Sequence, residues 1–239
     1  MKPIRVFRHL VCQHPGYLGE FLQERSIPWE MVCVDEDNPV PQQTDDVSAL
    51  VFMGAGVSVN DRLPWIDGEL ELIRKAFDLD LPVMGVCFGA QLMSRALGGE
   101  ISRGKGMEIG WHPVYEIADK GRDNWLNDIP GQFTAFHWHA DTYTLPAQSQ
   151  HLLKSNCFDQ QGFVMGDHLG MQFHLEMTRE MVENWIERYG SDLLLNSACS
   201  QSAEAILTSI DQRIEALHRV SDLIYGRWVG RVLARQGQI

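Results

Sequence analysis

The sequence predicts an α/β fold: a mostly parallel central sheet flanked by helices, with a β-rich insertion and a C-terminal helical extension. Three observations carry this. First, short apolar runs such as Ala49-Leu50-Val51-Phe52-Met53 and Val83-Met84-Gly85-Val86 have the composition of strands buried on both faces. Second, these runs alternate with amphipathic stretches of helical period, which is the plan of a parallel sheet covered by helices. Third, Gly85-Val86-Cys87-Phe88-Gly89 joins an apolar run to a helical pattern through a turn flanked by glycines.

Taken in order, Ile4 to Val11 reads as a first strand. His14-Pro15-Gly16 is a turn, and Tyr17 to Arg25 a short helix with Leu18, Phe21 and Leu22 on one face. Trp29 to Val34 is a second strand, and Asp35 to Asp46, polar and holding Pro39 and Pro41, a loop. Ala49 to Met53 is the third strand, running into Gly54-Ala55-Gly56. Leu63 to Asp78 is a helix, with Ile66, Leu70, Ile73 and Phe77 at helical spacing. The strand before Cys87 leads into a helix closed by Gly98-Gly99. Glu100 to Ala118 reads as short strands and turns, clearest from Met107 to Tyr115. Gln132 to Trp138, Leu152 to Ser155, Gly162 to Met165 and Gly170 to Glu176 are further strands, and Thr178 caps a helix from Arg179 to about Tyr189. Residues 1–190 are thereby expected to form the catalytic domain. After a break at Leu193 to Ser200 containing Asn196-Ser197, residues 191–239 form a helical extension, packed on the domain or on a second copy as a homodimer.

Composition bounds the function. The 239 residues are 44% hydrophobic, enough for a substantial core. The formal charge of −12, with no basic cluster, argues against a nucleic-acid surface. No run is long enough to span a bilayer, so no membrane association is expected. The five cysteines (Cys12, Cys33, Cys87, Cys157 and Cys199) are odd in number, widely spread and lack a C-x-x-C pair. Neither a zinc ribbon nor a dithiol redox motif is indicated, and a reducing cytoplasm fits best.

The chemistry centres on Cys87. A sharp strand-to-helix turn leaves no room for a Cβ at its neighbours, and it presents the thiol at a helix N-terminus, where the dipole favours thiolate. A lone G-x-C-x-G also describes a buried structural cysteine, so the site needs partners. His174 is the best base. Glu176, two residues on in a strand, shares its face and can orient the imidazole, giving a Cys87–His174–Glu176 triad. The oxyanion of an attacked carbonyl needs backbone donors. Phe88, following the nucleophile, supplies one. The Gly54-Ala55-Gly56 loop supplies another through Ala55, with Gly54 and Gly56 beside it at the substrate. His137, His139 and Asp141 form an H-x-H-x-D run, which can be a metal half-site. No second half is evident, so a wall of the substrate pocket is preferred, and neither metal nor cofactor is expected.

Together these residues resemble the class I glutamine amidotransferases. The match rests on Gly85-Val86-Cys87-Phe88-Gly89-Ala90-Gln91, the downstream Gly98-Gly99, and Phe173-His174-Leu175-Glu176, in the family's order. It covers about residues 1 to 190. Met53-Gly54 with Ser58-Val59-Asn60-Asp61, and His137-Trp138-His139 with Asp141, are similar to the stand-alone, GMP-synthase-like members. The resemblance implies a flavodoxin-like fold and attack of Cys87 on the γ-carboxamide of glutamine through a γ-glutamyl thioester. Gln91, His139, Ala140 and Asp141 would hold the substrate. Where the family usually has glycine and then proline at the oxyanion loop, this chain has Ala55 and Gly56, and a positive φ at Ala55 would cost about 1 kcal/mol or more. Phe88 departs from the DJ-1/PfpI-like proteins, which usually place histidine after the nucleophile. His174 precedes Glu176, unlike the acid-then-histidine order of α/β-hydrolases.

Three functions follow as expectations. The first is a glutaminase feeding ammonia to a synthetase on another chain, because no G-x-x-x-x-G-K-[ST] loop occurs here. The second is a partner-independent γ-glutamyl hydrolase or peptidase, and the third a non-catalytic regulatory module on the same fold.

Overall fold

The computed structural model describes residues 1–117, 124–195 and 197–237. Ala118 and Asn196, assigned above to a β-rich stretch and to a break, lie outside the described residues. The first half of the chain alternates strand and helix: β1 (Ile4–Arg8), α1 (Gly16–Glu24), β2 (Trp29–Cys33), β3 (Ala49–Phe52), α2 (Pro64–Asp78), β4 (Val83–Val86) and α3 (Phe88–Ala96). The second half supplies β5 (Ile101–Glu116), β6 (Gln132–Tyr143), β7 (Gln150–Ser155), β8 (Gly162–Met165), β9 (His168–Met171), α4 (Arg179–Tyr189), β10 (Cys199–Ser200), α5 (Ala203–Leu207) and α6 (Ile210–Arg235).

Strands β2, β1, β3, β4 and β9 lie side by side and are parallel. Strands β8, β7, β5 and β6 extend this sheet with antiparallel pairings. The parallel strands are apolar on both faces because helices cover both. Ile4, Val6, Ala49, Val51, Met84 and Val86 face one core with Leu18, Phe21 and Leu22 of α1. Phe7, Leu50, Phe52 and Val83 face the other, with Ile66, Leu70 and Ile73 of α2 and Leu92 of α3. The period of two within each strand is the direct cause of this division.

Four elements differ from the sequence reading. The first strand ends at Arg8, and Val11–Gln13 turns into a 3₁₀ helix that carries Gln13 toward the sheet. In place of short strands and turns after Glu100, β5 is one strand of 16 residues, bulged between Arg103 and Glu108. Its partner β6 continues past Trp138 to Tyr143, so His139, Ala140 and Asp141 lie within a strand. The last strand stops at Met171. Beyond it the chain leaves β4 and touches β6 through a single bridge, His174 N–H donating to the Phe136 carbonyl at 2.8 Å.

The C-terminal segment is stitched to the rest. Strand β10 pairs with β5 at Glu108 and Ile109, and Cys199 is disulfide-bonded to Cys157, 42 residues away in sequence. Scattered cysteine spacing carried no sign of this pair, which β10 brings together. Gln201 brackets Trp111, accepting from its N–H at 2.9 Å and donating to its carbonyl at 2.7 Å. Helix α6 contributes Leu217, Val220, Ile224, Tyr225, Trp228, Val229 and Val232 to the same core as β1, β3 and β4. Among the described residues no helix is long and apolar enough to cross a membrane.

Trp228 is fully buried in this shared core. Trp228→Ala is therefore expected to lower unfolding free energy by about 3–5 kcal/mol, read as a fall in the urea midpoint. A loss within about 0.5 kcal/mol, the range of surface substitutions, would mean α6 is not part of the cooperative unit.

Candidate active site

The strand-to-helix turn at Cys87 is built by contact, not by propensity. A Cβ at Gly89 would lie 2.0 Å from the Phe52 carbonyl oxygen of β3, and one at Gly85 would lie 2.5 Å from the backbone of Gly89. Only glycines let the helix start this close to the sheet. Cys87 itself has φ 53° and ψ −106°, a conformation costly for a residue with a side chain. It is held by its N–H, which donates to the Met171 carbonyl at 2.7 Å, and by its carbonyl, which accepts from Gln91 N–H at 3.1 Å.

His174 and Glu176 are both buried, with Nδ1 of His174 2.6 Å from a Glu176 carboxylate oxygen. The separation of two residues brings them together although the regular strand has already ended. Burial would lower the His174 pKa, but Glu176 and the nearby Cys87 outweigh it and push it up to about 10. Its ring meets Trp185 edge-on at 4.9 Å, and the Trp185 indole N–H is fixed on the Cys12 carbonyl at 2.6 Å. The carbonyls around Glu176 are occupied in turn. Tyr17 N–H of α1 donates to Glu176 O at 2.9 Å, Ser221 Oγ of α6 to Leu175 O at 2.9 Å, and His218 Nε2 of α6 to Met177 O at 2.9 Å.

A cavity of about 420 Å³ opens over Cys87. Of the residues singled out from sequence, Ala55, Gly56, Cys87 and Phe88 line it on one side, and Gln91, His139, Ala140 and Asp141 on the other. Gly54 lies beneath its edge, where a Cβ would come 3.3 Å from His174 Cε1. His174 and Glu176 are not among the residues lining the cavity. Ala55 is not among the residues with positive φ, so the backbone cost considered for it does not arise.

Several polar groups organise this cavity. Gln91 Nε2 donates to the Asp141 carbonyl and to Gln172 Oε1, both at 3.1 Å. Gln172 Nε2 in turn lies 3.5 Å from Cys87 Sγ. The Asp141 carboxylate accepts from Ser58 Oγ at 2.7 Å and lies 3.6 Å from Arg103. His139 places Nε2 at 3.1 Å from Glu108 Oε2 and Nδ1 at 3.1 Å from the Asp141 carbonyl. Gln161 Nε2 donates to the same Glu108 oxygen at 2.6 Å, and His137 Nδ1 is 3.2 Å from it. Burial opposes a charge on Glu108, yet His137 and His139 hold its carboxyl well below the usual range. Burial keeps His137 low, at about 4.

The histidine run thus has a buried carboxylate partner from β5. Glu108, His137 and His139 place donor atoms within 4.8 Å of one another, a set that could hold a divalent ion. Asp141 points elsewhere, to Ser58 and Arg103. Sequence reasoning missed Glu108, Gln172 and Gln13, the last of which also lines the cavity. Gln172 was legible in principle as a polar residue in an apolar run just before Phe173-His174. Glu108 carried no local signal, since its partners arrive across the bulged β5–β6 pairing.

The class-I glutamine amidotransferase family model matches residues 18–187. The chain belongs to that family. A glutamine amidotransferase from Methylobacillus flagellatus of known structure is 33% identical, with a TM-score of 0.91 over 96% of this chain and 95% of that one. The glutamine amidotransferase-like protein YfeJ of Salmonella typhimurium is 29% identical over 70% of this chain and 72% of its own length. Gamma-glutamyl peptidase 5 of Arabidopsis thaliana is 26% identical over 82% of each chain.

A group whose pKa rises on folding, here from 6.5 to about 10, adds stability that is complete below the lower value and lost as pH climbs through the upper one. In a histidine-labelled sample, the His174 imidazole should therefore stay protonated past pH 8. Glu176→Gln should move its titration downward, because the carboxylate is the main group raising it. An unchanged NMR midpoint in that variant would remove Glu176 as the cause.

Proposed function

We propose that this amidotransferase-family chain is an enzyme that cleaves the γ-amide of glutamine, or of a γ-glutamyl compound, through a thioester on Cys87. The observation that carries the reading is a strained thiol at the floor of a cavity, backed by a buried imidazole–carboxylate pair. His174 already holds the proton given up by the thiol, in keeping with its raised pKa, and Cys87 Sγ attacks the γ-carbonyl carbon. A C–S bond forms as the carbonyl π pair moves to oxygen. The backbone N–H groups of Ala55 and Phe88 receive that oxyanion. Collapse breaks the C–N bond, and His174 protonates the leaving amine. Water, deprotonated by His174, then attacks the thioester, releasing glutamate and restoring the thiol. Glu176 keeps the imidazole oriented throughout and offsets its positive charge. Gln91, His139, Ala140 and Asp141, with Gly54 and Gly56, form the walls that hold the glutamyl part.

Between the two substrate classes, similarity to a γ-glutamyl peptidase along 82% of both chains supports partner-independent hydrolysis. An ammonia-accepting synthetase on a separate chain is the alternative. Purified protein is to be mixed with glutamine and with a panel of γ-glutamyl dipeptides and γ-glutamyl amines, measuring glutamate release. Turnover of γ-glutamyl peptides by the isolated chain is expected, and Cys87→Ala should lower it at least about a thousand-fold. Cleavage of glutamine only when a synthetase is present would favour the alternative. Failure of every substrate, with no labelling of Cys87 by a glutamine-mimicking electrophile, would refute both readings and leave the regulatory module.

A further inference from the structure

Behind the Gly54-Ala55-Gly56 loop lies a further buried histidine–carboxylate pair that the chemistry above does not use. His9 follows β1, and Glu69 sits in the middle of α2 on its apolar face, beside Ile66, Leu70 and Ile73. Both side chains have no exposure. His9 Nε2 is 3.0 and 3.1 Å from the two carboxylate oxygens of Glu69, and His9 Nδ1 is 3.1 Å from the carbonyl oxygen of Gly54. A carbonyl and an ionised carboxylate only accept, and with both partners in that form only a doubly protonated imidazole can donate to both. A buried ion pair of this kind is a poor way to gain stability, since apolar residues of similar volume usually serve as well or better. Its location suggests another use.

We propose that the His9–Glu69 pair positions and polarises the peptide unit between Gly54 and Ala55, making the Ala55 N–H a stronger oxyanion donor. This rests on the role given to Ala55 above. The Gly54–Ala55 peptide bond is trans, so the Gly54 carbonyl and the Ala55 N–H point in opposite directions. With the carbonyl tied to His9 on the buried side, the N–H is turned away from His9, and Ala55 is a residue of the cavity wall. A cationic donor on the carbonyl withdraws electron density across the amide and strengthens the N–H on its far side. The same imidazole meets the Phe88 ring edge-on at 5.1 Å and stacks on Trp65 at 5.1 Å. It therefore abuts the residues that supply both proposed donors. His9 and Glu69 are positioning residues here, because neither touches substrate.

The charged neighbours are consistent with a ring held protonated. Glu69 faces it from α2. Asp35, from the turn after β2, adds negative potential, although Arg8 engages its carboxylate at 3.0 and 3.1 Å. Trp65 of α2 and Phe88 of α3 are uncharged. Burial alone would lower the His9 pKa, and Glu69 is the main group that reverses this and raises it.

Three variants separate the possibilities: Glu69→Gln, His9→Phe and, as a background without turnover, Cys87→Ala. Folding is checked by thermal unfolding, and steady-state kinetics use the best substrate of the panel from pH 5 to 9. His9→Phe should lower kcat about 10- to 100-fold at every pH with KM little changed, in the range of weakening one oxyanion donor. Glu69→Gln leaves burial unopposed and lowers the His9 pKa, so it should lose kcat along a limb on the acid side of neutrality, keeping more activity at pH 5 than at pH 7 and above. Wild type should show no such limb. In ¹⁵N-labelled Glu69→Gln, with or without Cys87→Ala, the Ala55 amide resonance should shift with the same midpoint. That arm needs no activity, so it decides the proposal even if the assigned reaction fails. A loss of kcat equal at all pH values in Glu69→Gln, or an Ala55 amide indifferent to pH in that variant, would overturn the polarising role.

Discussion

Everything at the site depends on how closely α3 begins against the sheet. Gly89 lies against the Phe52 carbonyl, Gly85 lies under Gly89, and Cys87 between them is forced to φ 53°. Such a backbone costs on the order of 1–3 kcal/mol and survives only where its surroundings over-determine it. The decisive restraint is the Cys87 N–H bond to Met171. Met171 ends β9, and the next five residues carry Gln172, His174 and Glu176. One hydrogen bond thus fixes Cys87 and also sets where Gln172, His174 and Glu176 leave the sheet.

The two ends of the chain reinforce that arrangement from opposite sides. Helix α1 donates to Glu176 O, and α6 to Leu175 O and Met177 O, so the carboxylate is carried by a segment with its backbone acceptors filled. Gly16 has φ +44° and so little space that a Cβ there would stand 2.2 Å from Glu176 O. Across the site, Gly54 has its carbonyl on His9 and would place a Cβ 3.3 Å from His174 Cε1. A cluster around Glu108 anchors His139 on the far wall. Of these three buried acid–histidine groupings, only the Glu108 cluster places a residue, His139, in the cavity lining.

The fold was largely legible because its signals are local. Pro82 followed by Val83 to Val86, the amphipathic α2, and the Thr178 cap, whose side chain does accept from Met181 N–H, each name an element unaided. The elbow was legible for the same reason, since its glycines are adjacent to the thiol. What failed to show was non-local. The length of β6 past Trp138 depends on β5 lying opposite, and β10 exists only because Cys199 reaches Glu108 and Cys157. His9 and Glu69, 60 residues apart, look like an ordinary turn residue and an ordinary helix acid until the fold puts them in contact. The end of β9 at Met171 was misread because Phe173-His174-Leu175-Glu176 alternates as a strand would, while its actual pairing is a single bridge.

Helix α6 has a consequence for the order of events during synthesis. Cys87, His174 and Glu176 have all been made by residue 176, yet two of the three donors that hold the carbonyls around Glu176 come from residues 218 and 221. A nascent chain that has completed its sheet still lacks the clamp on Glu176, and the imidazole it steadies is correspondingly loose. Contacts spanning some two hundred residues, such as Tyr17 with Asp222 at 2.9 Å, must close late. Cys87 is therefore paired with a firmly held His174 only after α6 docks.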